Sequence, residues 1–472
     1  MRGRTWRGEA AGLPLHVLRR PRPVRPRHRL VATLGVVILA IALFVAGGVG
    51  RFRTVGRSPA HDDGTGVAPS DGLGDSPLIM NGTVQQTIAS LQGRLRAAPE
   101  DWRSWAILGL AYVQEARVVA DPRYYPKAQG ALHRSLSLHR RGNFEAFTGQ
   151  GALALARHNF AAALRWGRKA RAVNPYNANV FGVIGDAQIE LGRYEAAFRT
   201  LQRMVDLRPD LSSYARASYA RELQGDVPGA VHDMRLALQA AGTPNDQAFT
   251  CYYLGELAFN GGHVDRALHW YRRGAALAPE YYPPQAGIAK AEWAEGRLTS
   301  AIRDYRSVVA RYPLPEYAIA LGDLYTVTGQ TAAARRQYDL VRVEEQLFEA
   351  ARVNVDLELA LFDADHGRPR NALAAARAEW ARRHSIVVAD ALAWALHQNG
   401  LDRQALRYVR LSHRVGYRSA LFRFHQGMIE LSLGLTDPAR RHLRSALSIN
   451  PHFSILYARV AERALSRLGG AR

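Results

Sequence analysis

Asp356, Glu358, Asp363, Asp365 and His366 crowd into the stretch NVDLELALFDADHG. Carboxylates and an imidazole at such density can hold a divalent cation or supply a general acid and base. On a single helix, however, Asp356 and Asp363 fall two turns apart on one face while Asp365 is rotated well away. One cation could not gather them without loop ligands, so a turn and capping role is expected, with pairing to arginines such as Arg368 and Arg370. A metal-dependent hydrolase using Asp356, Asp363, Asp365 and His366 is the alternative reading. Elsewhere the chain has no H-E-x-x-H, no phosphate-binding loop, no G-x-S-x-G and no glycine fingerprint after a strand. No catalytic residue, metal ligand or cofactor is therefore assigned. Cys251 is the only cysteine, which excludes a disulfide within the chain, and the sixteen histidines are scattered, mostly beside arginines.

The elements that must carry these residues are legible from Ala178 to Asp210. Phe181, Ile184, Gly185 and Gln188 recur at the spacing of one helical face, and Gly192 ends that helix. A second helix carries Ala197, Leu201, Met204 and Val205 on one side and stops at Pro209. The unit is a helix hairpin, and it repeats. Ten small residues from Gly109 to Gly427 are each followed by an alanine, in a ladder from Ala128 to Ala439. The separation is twelve residues in every pair but the first, which has seven extra. Two helices approach closely only where one offers a small residue to the other, so the ladder has a steric cause.

The pattern resembles the tetratricopeptide repeat family, whose unit reads W-x2-L-G-x2-Y, then A-x3-F, then P. The first repeat opens Trp105-x2-Leu108-Gly109-x2-Tyr112, and Pro175, Pro209, Pro279, Pro313 and Pro451 supply the terminal proline. The resemblance covers nearly all of the chain from Trp102 onward. It implies an all-α, right-handed superhelical solenoid of about ten hairpins that acts as a protein-binding scaffold rather than an enzyme. A partial repeat from Thr83 to about Arg96 would cap the start, and a helix from Ile455 to Leu468, with Arg459, Glu462, Arg463 and Arg467, would cap the end. The first repeat is expected to have a long turn between Tyr112 and Tyr125, and the seventh an extended second helix. Cys251 sits where the family has tryptophan, which gives it a buried apolar place.

In the family, five positions of each first helix line the concave surface. Carried over ten repeats, they hold the nine acids Glu145, Asp186, Glu190, Glu222, Glu256, Glu316, Asp323, Asp365 and Asp390. Only Arg103 and Lys290 are basic there, so the groove is net −7 in a chain whose formal charge is +22. Tyr219, Phe249, Tyr252, Phe259, Trp293 and Trp394 interleave with the acids, and Asn260 adjoins them. The expected ligand is an extended, positively charged peptide segment of another protein. The predicted contact set is Asp186, Glu190, Tyr219, Glu222, Tyr252, Glu256, Phe259, Asn260, Trp293, Asp323, Asp390 and Trp394. The bland competitor is that the carboxylates pair with bases of adjacent helices. Nucleic acid should be repelled from this acidic groove, and the chain's many arginines are scattered rather than gathered into a patch.

Ahead of the solenoid, residues 1–29 form a basic arm expected in the cytoplasm. Leu30 to Val49 are twenty uncharged, mostly apolar residues, enough to cross a hydrocarbon core of about 30 Å. Residues 50–81 shift to Gly, Ser, Pro and Asp and read as a flexible linker, leaving 82–472 for the repeats and their caps. Arginine far outnumbers lysine, as a GC-rich bacterial genome would produce. Nine arginines precede the apolar run and only Arg51, Arg53 and Arg57 follow closely, so a single-pass signal anchor would leave the repeats outside the cytoplasm. Secretion after cleavage of this segment is the alternative. Protease added to intact spheroplasts is expected to digest the repeats of the membrane-bound chain; full protection of the repeats would reverse this topology.

Overall fold

The computed structural model describes residues 84–469, so the arm, the apolar run at 30–49 and the linker lie outside the described residues. Within them the chain folds into 22 α-helices and no strand. Val84–Ala97 is the leading helix, ten hairpins follow from Trp102 to Ile449, and Ala458–Gly469 closes the array. No helix among the described residues is long and apolar enough to cross a membrane.

Each hairpin forms for local reasons. The first helices of successive repeats start where Asn143, Asn177 and Asp210 accept backbone N–H bonds from Ala146, Val180 and Ser213, satisfying donors the helix itself cannot. In the third repeat Ala178–Glu190 and Tyr194–Leu207 are joined by Leu191, Gly192 and Arg193, as the spacing requires. The ladder alanines are buried throughout, none more than 3% exposed. Opposite them, the small residue of the first helix admits the side chain four places beyond the alanine. A Cβ on Gly255 would lie 2.5 Å from a ring carbon of Tyr271, and one on Gly427 2.8 Å from Leu443. Cys251 is fully buried, as its place in the repeat implies.

Three boundaries differ from the sequence reading or refine it. In the first repeat the extra residues mostly lengthen the first helix, Trp102–Val118, and only 119–123 are turn; the insert EARVV has no breaker before Asp121. The seventh repeat has the expected long second helix, Thr331–Ala350. The closing helix begins at Ala458 rather than Ile455, because the Ser454 hydroxyl accepts the N–H groups of Leu456 and Tyr457 and holds a turn there. Arg459, Glu462, Arg463 and Arg467 are exposed on it, as a cap needs.

The superhelix comes round upon itself. The turns inside repeats two to five meet the turns between later repeats at a nearly constant sequence offset. Asn354 donates its backbone N–H to the Arg157 carbonyl at 3.2 Å, and the Asn354 carbonyl faces His158 Nδ1 at 2.7 Å. Ile386 N–H donates to the Tyr194 hydroxyl at 2.8 Å, and the Asn450 amide donates to the Phe259 carbonyl at 2.8 Å. These partners are 191 to 196 residues apart, so one superhelical revolution takes between five and six repeats. Between Glu190 and Arg383 the same contact carries a buried ion pair, which Glu379 joins.

Gly225 and Gly400 occupy the same turn position in different repeats, with φ of 78° and 74°. A Cβ on Gly225 would lie 2.6 Å from the Gly416 carbonyl oxygen of the next revolution, whereas Gly400 has open space around it. Alanine at either position incurs the left-handed backbone cost of about 1 kcal/mol. Gly225→Ala is expected to cost about 1–3 kcal/mol more, because backbone rather than a flexible side chain must give way. Chemical unfolding of both variants measures the difference; equal losses would show that contact between revolutions adds nothing to stability.

Candidate functional site

Closure of the superhelix decides what the inner-face residues can do. Asp186 is 3% exposed and is held by Arg216, itself 1% exposed, through bonds of 2.9 to 3.2 Å. Glu190 pairs with Arg383, and Glu145 faces Arg103 at 3.6 Å. Asp323 accepts from the Tyr338 hydroxyl at 3.0 Å and meets His366 Nε2 at 3.1 Å. Asp390 meets His425 Nδ1 at 2.8 Å, and Trp394 stacks on that imidazole with centroids 4.1 Å apart. Tyr219 is buried in the apolar core shared by both revolutions. Glu222 is buried against the Asn260 amide at 3.4 Å, and that burial raises its pKa to about 7.

Arg216, Arg383, His366 and His425 fell outside the positions assigned to the inner face, so the tally of nine acids against two bases overlooked them. Arg216 and His425 carry a signal that could have found them, and the pair of Glu256 with Lys290 shows the same mark. Asp186 and Arg216 are 30 residues apart, Glu256 and Lys290 34, and Asp390 and His425 35, each close to one repeat period. An acid followed by a base one period later is the mark of a cross-repeat pair. Glu190 and Arg383, 193 residues apart, carry no such mark.

The cluster at 356–366 is dispersed. Asp356 pairs with Arg382, Asp363 with Arg342, and His366 with Asp323. Asp365 accepts from Trp394 Nε1 at 2.7 Å and from the Tyr457 hydroxyl at 2.9 Å, and burial raises its pKa to about 8. The arginine partners are therefore Arg342 and Arg382 rather than Arg368 and Arg370. The four side chains do not converge on a point, and no group of three metal-binding side chains occurs among the described residues.

Five of the predicted contact residues do come together. Tyr252, Glu256, Phe259, Asn260 and Trp293 line a chamber of about 400 Å³ inside the superhelix. Its walls are the first helices of repeats five to seven, Pro244–Asn260, Pro283–Ala294 and Pro315–Val327. The other revolution supplies 417–421 and 450–455, and the first two repeats contribute Tyr125 and His158. Lys290 reaches in from the sixth repeat. Its ammonium donates to both Glu256 oxygens, at 2.6 and 2.7 Å, and lies 4.5 Å from the centre of the Phe259 ring. Tyr271 donates its hydroxyl to the same carboxylate at 2.6 Å. The wall thus already holds one ammonium between a carboxylate and an aromatic face.

Glu316, Glu345 and Glu358 also face the chamber, and burial raises each to about 7. Glu345 pairs with Arg342 at 3.0 Å. Glu358 lies 3.8 Å from His158 Nδ1, but burial holds that imidazole down at about 4, so it stays neutral near pH 7. Residues 417–421 and Asn450 reach the chamber from parts of the chain remote from repeats five to seven, and nothing in the repeat pattern announces them, while Glu358 comes from the first helix of the adjoining repeat eight.

Residues 178–211 match the family model of the tetratricopeptide repeat. Over 223 residues the chain is 26% identical to cellulose synthase 1 operon protein C of Komagataeibacter xylinus, a match that covers 45% of this chain and 16% of that protein. Among solved structures, human IFIT1 in its dimer with PPP-AAAA is similar over 77% of this chain and 86% of its own, at 14% identity and a TM-score of 0.42. A thermophilic tetratricopeptide repeat protein of Thermus thermophilus is similar over 40% of this chain and 99% of its own, at 20% identity and a TM-score of 0.35.

The raised carboxyls set a pH dependence of known sign. A group whose pKa is higher in the fold than in the unfolded chain stabilises fully below its ordinary value, and that contribution is lost as pH rises through the folded value. For Glu316 the window runs from about 4.5 to about 7. Glu316→Gln is therefore expected to melt at a higher temperature than the parent at pH 8 and to match it at pH 4. An equal effect at both pH values would show that Glu316 is not desolvated in the fold.

Proposed function

We propose that the chain is a membrane-tethered interaction scaffold whose chamber takes a cationic segment of a partner protein. A helical-repeat array that binds proteins is the general role of this kind of fold, and the tetratricopeptide match at 178–211 supports it. The tether is the apolar run at 30–49, and the arginine asymmetry around it favours an extracytoplasmic array. The observation that carries the ligand class is the seat of Lys290. A carboxylate and an aromatic face hold an ammonium there at contact distance, in a chamber whose further carboxyls Glu316 and Glu358 lack a lysine or arginine in ion-pair contact. In this reading Tyr252, Glu256, Phe259, Asn260 and Trp293 touch the segment. Asp186, Glu190, Tyr219, Glu222, Asp323, Asp390 and Trp394 are buried elsewhere in the superhelix and do not line the chamber. The hydrolase alternative loses its basis, because its four residues bind four separate partners.

A second reading concerns the partner's setting. The Komagataeibacter relative is named for a cellulose synthase operon, so in this reading the partner is a protein of such an operon.

The test uses the full-length chain in detergent and a fluorescent oligolysine peptide, read by anisotropy. Binding should weaken as salt rises, since the charges at the mouth are partly exposed. Glu256→Lys together with Glu316→Lys should weaken it about tenfold or more, a loss of about 1.4 kcal/mol. Undiminished binding by a folded double variant would sink the cationic-segment reading.

A further inference from the structure

Among the described residues, four largely buried tyrosines line the chamber with hydroxyls that make no hydrogen bond to the protein. Tyr253 and Tyr305 are 4% exposed, Tyr417 7% and Tyr317 9%. They come from repeats five, six and seven and from the turn before repeat ten, so both revolutions of the superhelix aim a polar group into one space. The hydroxyl oxygens themselves are not shut away, so each opens on the space of the chamber. Four around one chamber of about 400 Å³, a size ordinary for small-molecule sites, mark it as built for a polar guest.

The charges define the guest. Of the chamber's cations, Lys290 is tied to Glu256, Arg117 is bonded within the chain and Arg418 is exposed at the mouth. Of its carboxyls, Glu256 and Glu345 have basic partners. Among the described residues Glu316 and Glu358 have no lysine or arginine in ion-pair contact, although Arg383 acts on Glu358 from further off, and one Glu358 oxygen is buried without a hydrogen-bond partner. Burial is the main cause that disfavours the ionised form of Glu316, and the nearby Glu358 carboxyl adds to it. Two ammonium groups joined by a short apolar linker would answer both carboxyls, while the aromatic rings of Tyr282 and Tyr317 offer faces to the cations and to the methylenes between them.

We infer that this end of the chamber binds a free aliphatic diamine, one ammonium against Glu316 and the other against Glu358, with the unpartnered tyrosine hydroxyls completing its hydrogen bonds. The site depends on the chamber but needs neither a protein partner nor a membrane, and so goes beyond the scaffold reading. Both carboxyls sit near half-protonation at neutral pH, so an arriving dication draws them into the ionised form and protons are released.

Calorimetric titration of the full-length chain in detergent with 1,4-diaminobutane tests the assignment, with butylamine as the single-charge control. The diamine is expected to bind about tenfold or more tighter than butylamine. Titrations at pH 7 in two buffers of different ionisation enthalpy should show proton release. Glu316→Gln and Glu358→Gln should each weaken diamine binding about tenfold while keeping the parent's melting temperature or exceeding it. Tyr253→Phe, which alters no charge, should weaken it less. Equal binding of diamine and monoamine, unchanged binding by both glutamine variants, or heat only with a neutral glucan oligomer would overturn the inference. If oligolysine still binds while diaminobutane does not, this inference falls and the scaffold reading stands.

Discussion

The contact between successive revolutions of the superhelix governs the rest of this protein. An open solenoid leaves one side of each inner helix to solvent; here the turns of repeats two to five meet a second layer of backbone 191 to 196 residues further on. Apart from the ion pair of Glu190 with Arg383, each of its hydrogen bonds uses a backbone group on at least one side. Carbonyls of Phe259 and Arg157 accept from the later revolution, and at Gly225 the two chains lie too close for a Cβ between them. Hydrogen bonds of this kind need the rise of the superhelix to match the thickness of one layer over its whole circumference. That match ties every hairpin angle in the first revolution to those in the second.

Closure has an electrostatic consequence. Inner-face carboxylates that would have been solvated lose water on both sides, and an isolated charge there would be costly. The chain meets this cost in two ways. Where a base stands one repeat later, as for Asp186 with Arg216 or Glu256 with Lys290, the carboxylate is neutralised in place. Where none does, as for Glu222, Glu316, Glu358 and Asp365, burial pushes the carboxyl up to about 7 or 8, and the charge itself becomes conditional on surroundings and pH. Where repeats five to seven face the far revolution space remains, and it is walled by tyrosines.

The hairpins were legible because their cause is local and periodic. Gly185 and Ala197, twelve residues apart, must face one another in any chain that folds as a hairpin, and caps such as Asn177 and Asp210 need only the next three residues. The long helix over Thr331–Ala350 followed from a run without a breaker. Even the pairs Asp186 with Arg216 and Asp390 with His425 lay within reach of the sequence, since the repeat period that aligns the hairpins also aligns their side chains.

What the period could not supply was the second revolution. Whether a solenoid closes depends on small rotations at each repeat that accumulate over five or six hairpins, and no pair of residues encodes their sum. For that reason the sequence by itself determined the repeat, its register, its capping helices and the acidic, aromatic character of its inner helices. Only the tertiary structure decided that Glu190 would meet Arg383 and that Asp365 would be shut away with Trp394 and Tyr457. It also decided that Glu256, Glu316 and Glu358 would share a chamber with Tyr253 and Tyr417. Local spacing sets which face of a helix a residue occupies, while the summed curvature of the array sets what that face meets.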